Sequence, residues 1–253
     1  MAKLPPRSIY STRRPDRAEP KIVAVIFSRA DLIRAGRLRP SPDFFELRLD
    51  ALEPVIDEIE PSIRSLNLPL IVTARHPREG GLNNLSAARR AALLRRFLDQ
   101  ATYVDIELRA LGELRSVSRR ARRKKIGLII SFHNLNATPS LASLRAKARA
   151  ARAAGADIFK IATRTDTREQ LARLIKFFDE ADACRAVAGR RRVDLPVSAM
   201  GIGKLGRVAR LELARRGSAL VYASIGRSRV QGQMPIGQLR SALAASRIKQ
   251  GQK

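Results

Sequence analysis

Eight short apolar runs alternate along this chain with longer segments of helical periodicity, and this alternation most limits the folds open to it. The predicted strands are Ile22–Phe27, Phe44–Leu49, Leu70–Ala74, Tyr103–Leu108, Ile126–Phe132, Asp157–Ala162, Leu195–Ala199 and Ala219–Ser224. Helices are predicted over Ala51–Leu66, Leu85–Gln100, Leu111–Lys124, Ser140–Ala154, Arg168–Val187, Leu205–Arg215 and Ile236–Ala245. The connection Ser28–Pro42 has the weakest helical pattern. Strands that alternate with helices are typical of a parallel sheet covered by helices.

Eight such units within 253 residues predict an α/β fold of the (β/α)8 TIM barrel class, as a single domain. An open doubly wound sheet is the alternative, but no G-x-G-x-x-G follows the first strand. We assign residues 21–247 to the barrel and residues 248–253 to a C-terminal tail. Residues 1–20 are basic and proline-rich and are predicted to be a disordered tail, with a transit peptide as the alternative.

Ionisable residues recur on one face of five consecutive predicted strands. Alternate side chains of a strand point to opposite faces, so each polar set opposes an apolar set. The polar sets are Glu46, Arg48 and Asp50; Thr73 and Arg75; Asp105 and Glu107; Ser131 and His133; and Lys160. In a barrel this face lines the interior near the carboxyl ends of the strands, where active sites are built. An exposed sheet face with surface ion pairs is the alternative, although both faces of a parallel sheet are normally covered.

Lys160 lies in the middle of the apolar strand Asp157–Ala162. A lysine at such a position has lost its proton, forms an ion pair with a carboxylate, or takes part in catalysis. An unprotonated amine is a nucleophile toward carbonyl groups. The alternative is a strand-end lysine whose amine reaches water. His133 lies on the same face one strand earlier, and a histidine can exchange protons in both directions near neutral pH.

The formal net charge of +27 is extreme, with 50 basic and 23 acidic residues. It predicts non-specific attraction of nucleic acid at low salt, whereas the lack of interleaved aromatic residues argues against sequence recognition. The single Cys184 cannot form an intramolecular disulfide and favours a reducing, cytoplasmic location. No apolar run is long enough to cross a membrane, and no Cys/His cluster has metal spacing, so we expect neither membrane insertion nor a metal or cofactor.

An ordered series of short motifs covers Ile22 to Leu243. They are Glu46-Leu-Arg48-Leu-Asp50, Thr73-Ala-Arg75 with Glu79-Gly-Gly81, Asp105-Ile-Glu107, Ser131-Phe-His133-Asn134, Phe159-Lys160-Ile161-Ala162, Met200-Gly201 and Gly232-Gln233. Each motif stands at a predicted strand end or in a following loop. On these residues the chain resembles the type I 3-dehydroquinate dehydratases, Schiff-base enzymes of the shikimate pathway.

The resemblance implies a role for each matching residue. Lys160 would form the imine with the substrate ketone, His133 would be the general acid/base, and Glu79 would work with His133. Glu46, Arg48 and Arg75 would hold the substrate hydroxyls and shape the site. Arg210 would bind the substrate carboxylate, with Arg207 as the alternative one turn away, and Gln233 would contact substrate from a closing loop. We also expect a homodimer.

The chain departs from the family pattern at three positions. Arg229 stands where many members have a serine in the closing loop, so it is included among the substrate-binding candidates. Asn134 replaces a common aspartate, and Ala24 replaces a serine that binds substrate in some members. Two other functions stay open: another Schiff-base barrel enzyme such as a class I aldolase, and a non-catalytic cationic barrel that binds polyanions.

Overall fold

Parallel β-strands form the centre of the computed structural model, which describes residues 20–186 and 195–250. The strands are β1 Lys21–Ile26, β2 Phe44–Arg48, β3 Leu70–Thr73, β4 Ala101–Glu107, β5 Gly127–Asn134, β6 Ile158–Arg164, β7 Val197–Ile202 and β8 Leu220–Ser224. They pair in the order β7-β6-β5-β4-β3-β2-β1-β8. The Ala219 amide donates to the Val197 carbonyl at 2.9 Å and joins the two ends of the sheet. The predicted (β/α)8 barrel is therefore confirmed.

Helices connect successive strands and cover the outside of the barrel. They are α1 Arg29–Ala35, α2 Leu49–Leu52, α3 Ile56–Arg64, α4 Ala87–Phe97, α5 Arg115–Arg123, α6 Leu141–Ala153, α7 Arg168–Ala186, α8 Gly206–Arg215 and α9 Ile236–Gln250. Ser86 and Ser140 cap the N-termini of α4 and α6 through their hydroxyl groups. Gly155 and Gly217 adopt positive φ angles of 75° and 94° after α6 and α8, a conformation typical of glycine at helix C-termini.

The structure corrects two helix predictions. The single helix predicted over Ala51–Leu66 is wrong, because α2 and α3 are separated by a 3-10 turn over Glu53–Val55. Pro54 lies in that turn, and a proline has no amide to continue an α-helical hydrogen-bond ladder. The weak connection Ser28–Pro42 contains the helix α1, whose first turn is capped by the Ser28 hydroxyl.

Two apolar layers surround the strands, as the alternation of their side chains predicts. The larger cluster lies between the strands and the helices and includes Leu47, Ile106, Ile130 and Phe159. A smaller cluster lies inside the barrel. Toward the amino ends of the strands it includes Phe44, Ile71, Tyr103, Ile129, Ile158 and Leu220. The Tyr103 ring occupies space that a side chain at Gly127 would fill, so the glycine is needed there. The polar residues predicted for the site lie inside the barrel toward the carboxyl ends of the strands.

The predicted tails are only partly covered by the described residues. Of residues 1–20 the structure describes only Pro20, so the predicted disordered tail lies outside the described part of the chain. Helix α9 includes residues 248–250, and residues 251–253 lie outside. None of the helices described is long and apolar enough to span a bilayer.

Candidate active site

Lys160 lies inside the barrel on β6 and is held by two carboxylates. Its side chain is about 4% exposed, and its Nζ lies 3.0 Å from Glu46 Oε1 on β2 and 3.0 Å from Asp105 Oδ2 on β4. The Nζ also lies 3.9 Å from the centroid of the Tyr222 ring on β8. The barrel thus fixes the amine from three strands. Because the side chain is buried, the amine contacts protein groups and faces the cavity rather than bulk solvent.

Asp105, which contacts the lysine, is itself held by Arg75. Arg75 donates to both Asp105 oxygens, at 3.1 and 2.8 Å, and to Glu107 Oε1 at 3.0 Å. Burial alone would raise the pKa of Asp105, but the charges of Arg75 and Lys160 outweigh it and lower that pKa strongly. Asp105 is therefore a permanent anion, which positions the Lys160 amine.

His133 and Glu79 form a second pair at the same end of the barrel. Glu79 Oε2 lies 2.9 Å from His133 Nδ1 and accepts the His133 backbone amide at 2.9 Å. Burial lowers the pKa of His133 well below its usual value, and the charges of Arg75 and Lys160 lower it further. Burial raises the pKa of Glu79 to about 7. The imidazole is therefore neutral near pH 7 and can accept a proton.

Local structure places Glu79 beside His133. The segment after β3 forms a 3-10 turn over Pro77–Glu79, which begins at His76 and ends at Gly80 with a φ of 86°. His76 Nδ1 accepts the Arg78 amide at 3.0 Å. The turn brings the Glu79 side chain to the end of β5. His133 lies there, two residues after Ser131, which is the β5 residue paired with Lys160.

Arg210 reaches the same cavity from α8. It is 4% exposed, and no carboxylate among the described residues lies within ion-pair distance of it. Its polar contacts are long, to Met200 Sδ at 3.5 Å and the Tyr222 carbonyl at 3.4 Å, and its Nε has no hydrogen-bond partner within residues 20–186 and 195–250. Burial lowers the pKa of Arg210 to about 10, which still leaves it charged near neutral pH. A buried cation without an anion is suited to bind an anionic ligand.

The loop after β8 contributes the remaining side chains. Gln233 is 9% exposed, and its Oε1 has no partner among the described residues. The Gly203 amide donates to the Gln231 carbonyl at 3.1 Å, which ties this loop to the start of α8. Arg229 is exposed, and its guanidinium lies 5.7 Å from the Phe27 ring, which Arg48 also approaches at 4.7 Å.

These groups line one cavity of about 330 Å³ at the carboxyl ends of the strands. Its lining includes every residue predicted for the site: Glu46, Arg48, Arg75, Glu79, His133, Lys160, Arg210, Arg229 and Gln233. The volume suits a small molecule. A buried amine, a neutral imidazole and a buried unpaired arginine together indicate a site for a small anionic carbonyl compound.

Comparisons with known proteins identify the same chemistry. A family model for type I 3-dehydroquinase matches residues 24–250. The chain belongs to the type I 3-dehydroquinase family. It is 30% identical over 234 residues to a 3-dehydroquinate dehydratase of Shouchella clausii, with 88% of this chain and 87% of that protein covered. It is 32% identical over 205 residues to one of Methanothermobacter thermautotrophicus, with 80% and 85% covered.

A solved structure extends the similarity to three dimensions. The crystal structure of 3-dehydroquinate dehydratase from Geobacillus kaustophilus matches with a TM-score of 0.78 at 28% identity, covering 91% of this chain and 92% of that one. The resemblance inferred from the short motifs is thereby confirmed. Like that structure, this type I 3-dehydroquinase is a single barrel.

Arg90 is the main residue at this type I 3-dehydroquinase site that sequence reasoning missed. It extends from α4, is 1% exposed, and donates to Glu107 Oε2 at 2.7 Å and to the Ala74 carbonyl at 2.9 Å. The sequence could have indicated that Arg90 is buried, because it lies on the same face of α4 as Leu94 and Phe97. Tyr222 and Phe27 were also missed, because apolar and aromatic positions on a strand do not reveal which of them face a ligand.

Proposed function

We propose that this protein dehydrates 3-dehydroquinate to 3-dehydroshikimate through a Schiff base on Lys160, as a step of the shikimate pathway. The observation that carries this proposal is the buried Lys160 amine in one cavity with neutral His133 and unpaired Arg210. The first supplies a nucleophile, the second a base and the third a partner for a carboxylate. Together they supply the groups that an imine-based elimination of water from an anionic hydroxy ketone uses.

The reaction starts at the Lys160 amine once the ammonium has lost its proton. The amine adds to the ketone carbon, and loss of water leaves an iminium ion, which withdraws electrons from the adjacent carbon. His133 accepts a proton from that carbon, and the resulting enamine expels the hydroxyl group on the next carbon. Protonated His133 returns the proton, so the group leaves as water. Hydrolysis of the iminium then releases the conjugated enone and restores Lys160.

Ionised Glu79 sets the tautomer of His133 for this step. When Glu79 is ionised, His133 Nδ1–H donates to Oε2 across the 2.9 Å contact, and the lone pair of Nε2 is free to accept a proton. When Glu79 is protonated, its hydroxyl can donate to Nδ1, and Nε2 then carries the hydrogen. The second arrangement cannot remove a proton from substrate.

Three side chains that line the cavity hold the substrate. Arg210 binds the carboxylate, Gln233 covers the substrate through its unpaired Oε1, and Glu46 accepts a substrate hydroxyl beside the lysine. Arg48 is held in place by Asp50 at 2.9 and 2.8 Å, and Arg75 by Asp105 and Glu107. These two arginines shape the wall of the cavity, and Arg229 adds positive charge at its mouth.

The test combines an assay with covalent trapping. Absorbance of the conjugated product should rise when the protein meets 3-dehydroquinate, and borohydride added with substrate should attach a reduced adduct to Lys160. Lys160→Gln should lose the adduct, whereas Lys176→Gln, at an exposed lysine of α7, should keep it. Peptide mapping that places the adduct on another lysine, or an active protein without any adduct, would contradict the mechanism.

We further propose a cytoplasmic homodimer, as the family resemblance and the single cysteine suggest. Sedimentation of the full chain would reveal a 28.0 kDa species if the protein were monomeric.

The net charge of +27 favours a second activity, non-specific nucleic-acid binding at low salt. Co-purified nucleic acid should be released as salt is raised, and binding that persisted at about 0.5 M salt would contradict a purely electrostatic attachment.

A further inference from the structure

Helix α5 and the turn after it form the most basic continuous stretch of the described chain. Residues 115–125 read RSVSRRARRKK, with seven basic and no acidic residues. Val117 and Ala121 are buried against the barrel. The exposed side of this stretch carries Arg115, Arg119, Arg122, Arg123 and Lys125, which we call the α5 basic surface.

Several arginines of other helices differ because they have acidic partners. Arg64 pairs with Glu60 at 2.7 Å, and Arg145 of α6 pairs with Glu180 at 2.7 Å. Asp99, beside α5, pairs with Arg120 and Lys124, which lie outside the defined surface. None of the five residues of the α5 basic surface has a carboxylate within 4.0 Å in the described parts of the chain. Their charges are therefore uncompensated.

The neighbouring helix extends this positive region. Arg122 donates to the carbonyl of Ala154, which follows α6, and a side chain at Gly155 would collide with the Arg122 guanidinium. The ends of α5 and α6 are therefore adjacent. Exposed Arg152 lies in the last turn of α6, a helix without acidic residues. The two helix ends thus form one positive edge.

We propose that the α5 basic surface binds the phosphate backbone of duplex nucleic acid. Arg115, Arg119 and Arg123 are spaced four residues apart, so they follow one face of the helix over about 12 Å. Arginine guanidinium groups bind phosphate oxygens in bidentate fashion. Neither α5 nor α6 contains an aromatic residue on which unpaired bases stack, which favours a duplex over a single strand. This inference rests on the nucleic-acid activity proposed above and gives it a location.

The location separates this surface from catalysis. Helix α5 follows β4 and runs back toward the start of β5, so its basic C-terminal turn lies at the end of the barrel opposite the strand carboxyl ends. The substrate cavity opens at the carboxyl ends. A bound duplex should therefore leave KM for 3-dehydroquinate unchanged at constant salt. A competitive rise in KM would overturn the assigned surface.

The deciding experiment measures anisotropy of a labelled 20-base-pair duplex with the full chain at several salt concentrations. The test variant combines Arg119→Gln, Arg122→Gln, Arg123→Gln and Lys125→Gln. The matched control combines Arg29→Gln, Arg37→Gln, Arg39→Gln and Arg64→Gln, at exposed residues on and after α1 and at the end of α3, with the same loss of four charges. Since each phosphate contact contributes about 0.9 to the slope of log K against log salt, loss of all four contacts should reduce the magnitude of that slope by roughly 3.6. The control should lose less than about 1.

Each outcome has a distinct meaning. Equal weakening in both variants would overturn the α5 basic surface and leave general attraction by net charge. No duplex binding by the parent at low salt would overturn the nucleic-acid activity itself, and with it this surface. Binding to phosphatidylserine vesicles but not to the duplex would replace the partner and contradict the proposal. An unchanged kcat serves as the check that both variants are folded, and Arg119→Glu alone should weaken duplex binding in a variant with a single change.

Discussion

The pKa of Glu79, which burial raises to about 7, predicts how catalysis depends on pH. Below about pH 7 Glu79 is protonated and no longer holds the His133 tautomer that accepts a proton. We expect kcat/KM to fall as pH drops through 7 and to level off above it. Glu79→Gln should lower activity and remove this acid limb, as measured by pH profiles of both proteins. An identical limb in Glu79→Gln would assign it to another group.

His133 should carry the proton transfers. Its neutral imidazole is the proton acceptor that the cavity offers beside Lys160, so His133→Ala should lower kcat by about 10²–10⁴-fold, the usual contribution of a general acid/base. The variant should still form the borohydride-trapped adduct, because the amine is intact. His76→Asn, at the other histidine, keeps an acceptor at the start of the 3-10 turn and should change kcat only a few-fold. Parent-like turnover by His133→Ala would rule out the assignment.

Arg90 should act through Glu107 and Arg75. Its guanidinium and that of Arg75 share the Glu107 carboxylate, and Arg75 in turn holds Asp105 beside the lysine. Removing one partner of a buried ion pair typically costs about 3–5 kcal/mol. Arg90→Met should therefore lower the free energy of unfolding and kcat together, whereas exposed Arg95→Met on the same helix should change neither.

A double variant separates charge from packing in this network. In Arg90→Met with Glu107→Gln, the buried carboxylate that lost one of its two arginine partners is also removed. We expect the double variant to be more stable than Arg90→Met alone when unfolding is followed by denaturant titration. If the two losses simply add, Arg90 stabilises the barrel through packing, and the proposed action through Glu107 is wrong.

At the scale of elements, the loop between β8 and α9 is predicted to close over the substrate. Gly232 approaches Gly206 so closely that a side chain at Gly232 would collide with its backbone, and Gln233 is placed over the cavity by that approach. Its Oε1 lacks a partner in the part of the chain that the structure describes. The closing contact therefore depends on two glycines and one amide. Movement of this loop stays a prediction.

Gln233→Ala should weaken substrate binding with little effect on the fold. A hydrogen bond from a neutral substrate hydroxyl contributes about 0.5–1.5 kcal/mol, so KM should rise by roughly 2–10-fold. Gln238→Ala, at an exposed glutamine on α9, is the matched control and should leave KM as in the parent. Unchanged KM and kcat in Gln233→Ala would contradict the proposed contact.

At the scale of the whole molecule, the charge of +27 should guide an anionic substrate to the cavity. Electrostatic steering raises association rates by about 10–10³-fold and weakens with ionic strength. We expect kcat/KM to fall as salt rises while kcat changes little. Since the screening length is roughly 10 Å at 0.1 M salt, most of the decrease should occur below physiological ionic strength. A kcat that falls in parallel would point to an effect on chemistry instead.

The barrel fold and most of the polar residues inside it could be predicted from the sequence. The period of two along β2, β4 and β6 is a local property, so Glu46, Asp105 and Lys160 could be assigned to one face without knowing the fold. The short motifs around them also identified the family. Helix boundaries were less predictable, as Pro54 shows, because one residue can break a pattern that is otherwise continuous.

The tertiary structure decided which of these groups meet. Lys160 and Glu46 are separated by 114 residues, yet lie 3.0 Å apart. That distance depends on strand tilt, register and barrel closure, which no local pattern contains. The contacts of Glu79 with His133 and of Arg90 with Glu107, and the lack of a carboxylate near Arg210 within the described residues, arise in the same way. Burial and neighbouring charge then set the pKa of Glu79 and of His133, because both depend on the whole surrounding volume rather than on adjacent residues in the chain.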